Sequence, residues 1–196
     1  MDEIVERAMR KWPDVPRVFG WLRLDRRGRW LLKTPTLAFE RIGNTAITDF
    51  IGRNYAHDER GRWFFQNGPQ RVFVGLDAAP WVCRLNDGGR WLTHTGTAFD
   101  TQALYMDEAG ALLAHGASGL GLVDDRDLAA LTEALLAENP ALGGEEGLLA
   151  MAGGADDTPV RLFGRTVRLA GIRSGEVPAR FGFDPAPVPK AGEPDC

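Results

Sequence analysis

The sequence is poor in the residues that most often carry covalent chemistry. It has two cysteines, Cys83 and Cys196, too few for a disulfide framework or a cysteine zinc site. Serine occurs only at Ser118 and Ser174, and neither sits in the G-x-S-x-G turn that exposes a hydrolase nucleophile. Three histidines, His57, His94 and His115, fall at spacings that match no ligand motif, so neither a metal nor a cofactor is expected. No apolar run approaches the ~20 residues of a membrane helix, and the opening stretch is acidic and lacks a hydrophobic segment. A cytoplasmic protein without a membrane partner is the expectation. Lysine is scarce as well: 20 of the 23 basic residues are arginine.

What is present is a globular composition. The chain has 196 residues, 44% of them hydrophobic and 26% charged, enough to bury a core without staples. Charge is uneven: residues 1–100 carry 16 basic and 12 acidic side chains, residues 101–196 carry 7 and 15. The arginine-rich half either meets an anion or merely coats ordinary strand faces, and coding bias favours the second. Nucleic acid ranks last among the partners considered.

One short phrase punctuates the chain: Asp or Asn, two residues, Gly, one residue, then Trp or Leu. It begins at Asp25, Asp58, Asn86 and Asp107. Asp or Asn heading a type I turn accepts backbone N–H bonds, and the glycine supplies a left-handed conformation, so each copy signals a hairpin. The spacings of 33, 28 and 21 residues are too irregular for a solenoid or propeller, but a duplicated α/β unit stays open. Helices are expected over 3–11, capped by Asp2, docked through Ile4, Ala8 and Trp12 and ended by Pro13. Two more are expected over 45–54, behind Asn44 with Ile47, Phe50 and Ile51 on one face, and over 126–139, with Leu128, Leu131 and Leu135 buried. Residues 34–43 read as a loop or short edge strand and 116–122 as a flexible connection; the glycines of 116–122 do not form a phosphate loop. Residues 141–157 read as a Gly-rich acidic stretch of poor order, and 159–172 as two short strands around Gly164 or one bulged strand. The Pro-rich 181–196 reads as an extended, partly disordered tail. The fold class expected is α+β: antiparallel hairpins, two or three short helices, and two similar α/β halves. They divide as 1–79 and 80–140, with a C-terminal extension over 141–196.

The candidate site lies on the hairpin after Asp58. Alternation puts Trp63, Phe65, Val72, Val74 and Leu76 on a core face. The opposite face carries Arg62, Phe64 and Gln66 against Arg71 and Phe73, with Asn67 and Gln70 at the turn. Two guanidiniums, two rings and several amides can hold a planar anion, a nucleotide or a peptide. The plainer possibility is a second packing layer with the arginines reaching to water. The leading expectation is a non-enzymatic ligand-binding or regulatory module whose partner is a small molecule or protein. The enzyme alternative is a hydrolase using His57, Asp58 and Glu59; a further one is a structural, partner-binding protein. Cys83, inside an apolar run, is expected to pack as a small hydrophobe.

The stretches 20–30 and 50–72 resemble a group of uncharacterised proteobacterial proteins. Those share G-W-L-x-L-D-x-x-G-x-W, then F-I-x-R-N-Y-x-x-D-x-x-G-x-W-F-F-Q-N-G-P-Q-R-V, then P-W and T-G, here at 80–81 and 95–96. The group has no assigned activity, so the resemblance brings no catalytic residue. The order of elements also resembles a second bacterial family of unknown function. That likeness implies an α+β fold of repeated motifs and a role in signalling.

Overall fold

A computed structural model describes the chain except for residues 13, 14, 16, 87, 153–156, 191 and 193–196. The expected helix stop at Pro13, the second residue of the third turn phrase, part of the Gly-rich stretch and Cys196 lie outside the described residues. The chain divides into two compact units, Met1–Ala78 with Gly182–Cys196, and Ala79–Phe181.

The first unit contains α1 (Glu3–Lys11), β1 (Val18–Leu24), β2 (Trp30–Lys33), β3 (Phe39–Arg41), α2 (Thr45–Arg53), β4 (Tyr55–His57), β5 (Trp63–Asn67) and β6 (Gln70–Leu76). Its sheet runs β3-β2-β1-β6-β5-β4: two antiparallel meanders joined by a parallel β1–β6 pair. The second unit opens with β7 (Trp81–Leu85), β8 (Trp91–Thr93), β9 (Ala103–Met106), β10 (Leu112–Gly116) and β11 (Gly119–Val123). There follow α3 (Leu128–Glu138), α4 (Gly144–Ala150), β12 (Thr158–Leu162), β13 (Arg165–Gly171) and α5 (Val177–Phe181). Its sheet order is β12-β13-β9-β10-β11-β7-β8, again with a parallel join, β11 to β7. The fold is α+β with two similar halves.

The turn phrases explain why. All four become hairpin turns, their glycines Gly28, Gly61, Gly89 and Gly110 at φ 72, 73, 68 and 79°. In each, one side-chain oxygen of the leading Asp or Asn accepts the N–H groups two and four residues on. Copies one and three open the first meander of each half, and copies two and four open the next. A threonine turn is duplicated as well: the Thr34 and Thr36 hydroxyls lie 2.8 Å apart, as do those of Thr93 and Thr95.

Both cores follow the strand alternation. In the first unit Trp30 meets Tyr55 edge-on, with ring centres 5.1 Å apart, and Tyr55 meets Trp63 at 4.7 Å. In the second, Leu131 and Leu135 of α3 are buried with Leu104, Leu112, Leu148 and Leu169. Each such leucine contributes about 1.5–3 kcal/mol of burial.

Several expectations are corrected. In α1 the buried residue is Val5, at 2% exposure, whereas Ile4 and Trp12 stand 65% and 50% exposed. The helix is fastened at its start instead: the Asp2 N–H donates to Asn54 Oδ1 (2.8 Å), and Asn54 Nδ2 donates to Asp2 Oδ2 (3.3 Å). Asp2 makes no side-chain cap bond, and on α2 the outward Ile47 is half exposed while Ile51 is buried. Residues 116–122 are not a flexible connection but part of the β10–β11 hairpin. Gly121 is there because a side chain would collide with the Cys83 Sγ of neighbouring β7. Within the stretch expected to be poorly ordered, residues 144–150 form α4, which buries Leu148. The Pro-rich segment is held as well: the Asp184 N–H donates to the Gly61 carbonyl (2.9 Å) and the Leu76 N–H to the Pro185 carbonyl (2.8 Å). Of the two possibilities at Gly164, the structure has two strands, β12 and β13.

Candidate functional site

The β5–β6 register pairs Phe64 with Phe73, Gln66 with Arg71 and Asn67 with Gln70, so the alternation places these side chains as the sequence requires. Arg62 joins them from the turn before β5. Phe19 of β1 also belongs to this face, its ring stacked on Phe73 at 4.4 Å and 7°. Sequence reasoning missed it because the parallel β1–β6 pairing that brings it there spans more than fifty residues. Phe64 meets Phe73 edge-on at 5.9 Å.

The arginines sit against these rings. The Arg62 guanidinium lies 4.5 Å from the centre of Phe73 and 5.9 Å from Phe19, and that of Arg71 lies 4.0 Å from Phe64. Arg62 is only 4% exposed at its side chain and is neutralised by Asp58, 2.8 Å from Nη2 and 2.9 Å from Nε. Gln66 is buried; its Nε2 donates to the Gly68 carbonyl (3.0 Å), and its Oε1 accepts from Arg71 Nε (3.5 Å). Arg62, Phe64, Gln66 and Phe73 are therefore packed inside the layer, and Asn67, Gln70 and Arg71 form its accessible edge. Arg71 holds its proton less tightly than usual. Burial is the main cause, with the positive charges of Arg17 and Arg62 adding to it and Asp58 opposing them.

The triplet His57, Asp58 and Glu59 does not converge. His57 is exposed, with Nδ1 3.1 Å from the Asp58 carbonyl oxygen and its ring 4.9 Å from that of Trp63; Glu59 is exposed on the turn. Asp58 is engaged on both oxygens. Burial raises its pKa, but bonds from the Arg62 side chain and from the Arg62 and Arg60 N–H groups outweigh this and leave it lowered. A carboxylate held so has no poise for proton transfer near neutrality. Burial pushes the Cys83 thiol up to about 12, which makes it a packing residue. His115 packs on Phe181 at 5.1 Å, its pKa lowered by burial and then by Arg168. Among the described residues no group of three His, Cys, Asp or Glu side chains is arranged to hold a metal. No helix among them is long and apolar enough to cross a membrane. In the second unit a cavity of about 700 Å³ opens beside α3 and α4, walled by Leu112, Leu128, Leu136 and Leu148.

Residues 1–188, and with them both sheets and this face, match the DUF2944 family, described as "Protein of unknown function (DUF2946)". The chain belongs to that family. Among solved structures, this DUF2944 chain is similar to a DUF1285 family protein from Silicibacter pomeroyi DSS-3, with a TM-score of 0.51 and 17% identity. The match covers 84% of this chain and 87% of that one. At this identity the likeness concerns the fold alone, and it accords with the two similar halves. No curated protein matches the DUF2944 chain at a significant level. The frames at 20–30 and 50–72 thus mark a family of unknown function, whose fold is similar to that of a DUF1285 family protein.

Proposed function

We propose that this DUF2944 member is a non-enzymatic binding or regulatory module whose ligand meets the sheet edge at Asn67, Gln70 and Arg71. The supporting observation is the setting of Arg71: burial first, and then the charges of Arg17 and Arg62, loosen its hold on its proton, while Arg62 occupies the nearby Asp58 carboxylate. An anion at the edge relieves the repulsion that Arg71 feels. Phe64 braces the Arg71 guanidinium at 4.0 Å, which presets its fork for a planar acceptor such as a carboxylate or phosphate. The ligand class is a nucleotide, a small planar anion or an acidic peptide. A role in signalling fits the resemblance of the element order to a second bacterial family. The hydrolase alternative has less support, since Asp58 is fixed by Arg62 and His57 lies apart on the surface.

The test is a thermal-shift screen of nucleotides, metabolites and inorganic anions on the wild-type chain and on Arg71→Ala. At least one anion is expected to raise Tm by several degrees in the wild type and by much less in the variant. No stabilising anion, or one indifferent to the substitution, refutes this edge as the site.

A further inference from the structure

The third turn phrase differs from the first two in one atom that matters. Each of the first three copies places an arginine four residues after the leading residue: Arg29, Arg62 and Arg90. Arg29 is ion-paired to Asp25 at 2.6 Å and Arg62 to Asp58 at 2.8 Å. In the third copy the leading residue is Asn86. It keeps the backbone bonds of the turn, accepting the Gly88 N–H (3.1 Å) and the Arg90 N–H (2.9 Å), but carries no charge. The Arg90 guanidinium has no ion pair among the described residues. At this arginine the leading residue of the turn supplies no counter-ion.

That arginine lines a cavity of about 350 Å³, where the β7–β8 turn meets the β12–β13 turn. Its size is at the small end of ligand sites, ~300–1,000 Å³. A second, independent feature marks it. Thr101, also in its wall, is only 8% exposed, and its hydroxyl has no hydrogen-bond partner among the described residues. Buried hydroxyls are nearly always bonded, so an unbonded one in a cavity wall is a place where a bound molecule can supply the partner once the wall adjusts. A third feature is backbone strain. Phe163, at φ 51°, is one of two non-glycine residues with positive φ among those described. Glu138 holds it there, its carboxylate accepting the N–H groups of Phe163 (2.7 Å) and Gly164 (3.1 Å). The Phe163 ring is thereby presented to the cavity, and Gly89 leaves room for it: a Cβ there would lie 3.2 Å from the ring. Trp91 adds a second aromatic wall. Arg165 and Asp100 also line the cavity but satisfy each other at 3.1 Å. Among the described residues of the cavity wall, Arg90 is left as the charge without a counterpart.

We propose that this cavity is a binding site for a small aromatic carboxylate. The carboxylate takes the place of the missing Asp against Arg90, the ring packs with Phe163 and Trp91, and the Thr101 hydroxyl bonds to the ligand's polar edge. This site lies wholly in the second unit and shares no residue with the Arg71 edge, so either can fail alone.

The experiment titrates the full chain with benzoate, the neutral isostere benzamide, and inorganic phosphate, followed by amide NMR shifts. Benzoate is expected to give saturable shifts at residues 88–91 and 162–165, with benzamide and phosphate about tenfold weaker or worse. Arg90→Gln is expected to weaken benzoate about tenfold and to leave the urea midpoint unchanged, because the side chain is exposed and has no ion pair among the described residues. Thr101→Val is expected to weaken it several-fold and to raise the midpoint, since it removes an unbonded hydroxyl. Arg71→Ala should change none of this. Absence of saturable benzoate shifts at millimolar concentration overturns the proposal. So does an affinity unaffected by Arg90→Gln, or equal binding of benzamide or phosphate.

Discussion

Replacing the leading Asp of a turn phrase by Asn keeps the turn's acceptor oxygen and removes only the charge, so the repeated turn supplies its own controls. At the second copy the consequence should be large. Asp58→Asn removes the Asp58 charge from beside a guanidinium that is 4% exposed, over Phe73 and Phe19. Breaking a buried pair from one side costs about 3–5 kcal/mol, since the remaining charge stays desolvated. For a chain of this length that corresponds to a fall of roughly 6–20 °C in Tm, at ~2–4 °C per kcal/mol. At the first copy the same change is mild. Arg29 is 47% exposed, so in Asp25→Asn water replaces the lost partner, and the cost is about 0–1 kcal/mol. Asn86 shows that the turn itself tolerates the amide. Scanning calorimetry of both variants, with urea denaturation as a second measure, makes the comparison. The double variant Asp58→Asn, Arg62→Met should recover much of the loss, because an apolar chain replaces the buried charge. Losses for Asp58→Asn and Asp25→Asn that agree to within about 1 kcal/mol would refute the view that burial decides the worth of these pairs.

Two further outcomes follow from packing and titration. Gly121→Ala drives a methyl group into Cys83 Sγ and against Trp81 Cβ, 3.2 Å away, and should cost about 1–3 kcal/mol, partly restored by adding Cys83→Ala; additive losses would contradict the contact. Asp124 is buried and bound by Arg126 through Nε (2.8 Å) and Nη2 (2.6 Å), which holds its pKa at about 2. Its folded pKa lies below the unfolded value of ~3.9, so its stabilisation is full above about pH 4 and disappears as pH falls toward 2. Arg126 is half exposed and screened, so the unfolding free energies of wild type and Asp124→Asn from urea titration should differ by about 1–2 kcal/mol at pH 6 and converge near pH 2; a constant difference would contradict the pairing.

How much of this was legible in the sequence depended on range. The turn phrases specify their hairpins locally, through an Asx oxygen and a left-handed glycine, and all four formed as read. The same holds for the alternation that put Phe64 and Phe73 on one face. Parallel joins are another matter: nothing near Val18 or Trp81 announces that β6 or β11 will lie beside it. That is why Phe19 was missed, and why Gly121 read as flexibility when it marks a strand pressed against Cys83. For α1, the helical period was right but its phase was not, because Asn54 fastens the helix from the end of α2. The candidate face was legible as a set of residues; its division into a buried layer and an accessible edge was not. That division depends on what covers the second side of a sheet, which strand alternation does not encode.

The seating of residues 182–185 on Gly61 and Leu76 bears on how the molecule comes into being. The first unit is a host interrupted by 79–181, and it recovers its own thread only at Gly182. A nascent chain halted at Phe181 holds every strand of both sheets, yet the Gly61 carbonyl and the Leu76 N–H still wait for their partners on Asp184 and Pro185. The unit begun first is thus completed last, and the inserted unit, contiguous in sequence, has all its residues before its host is latched.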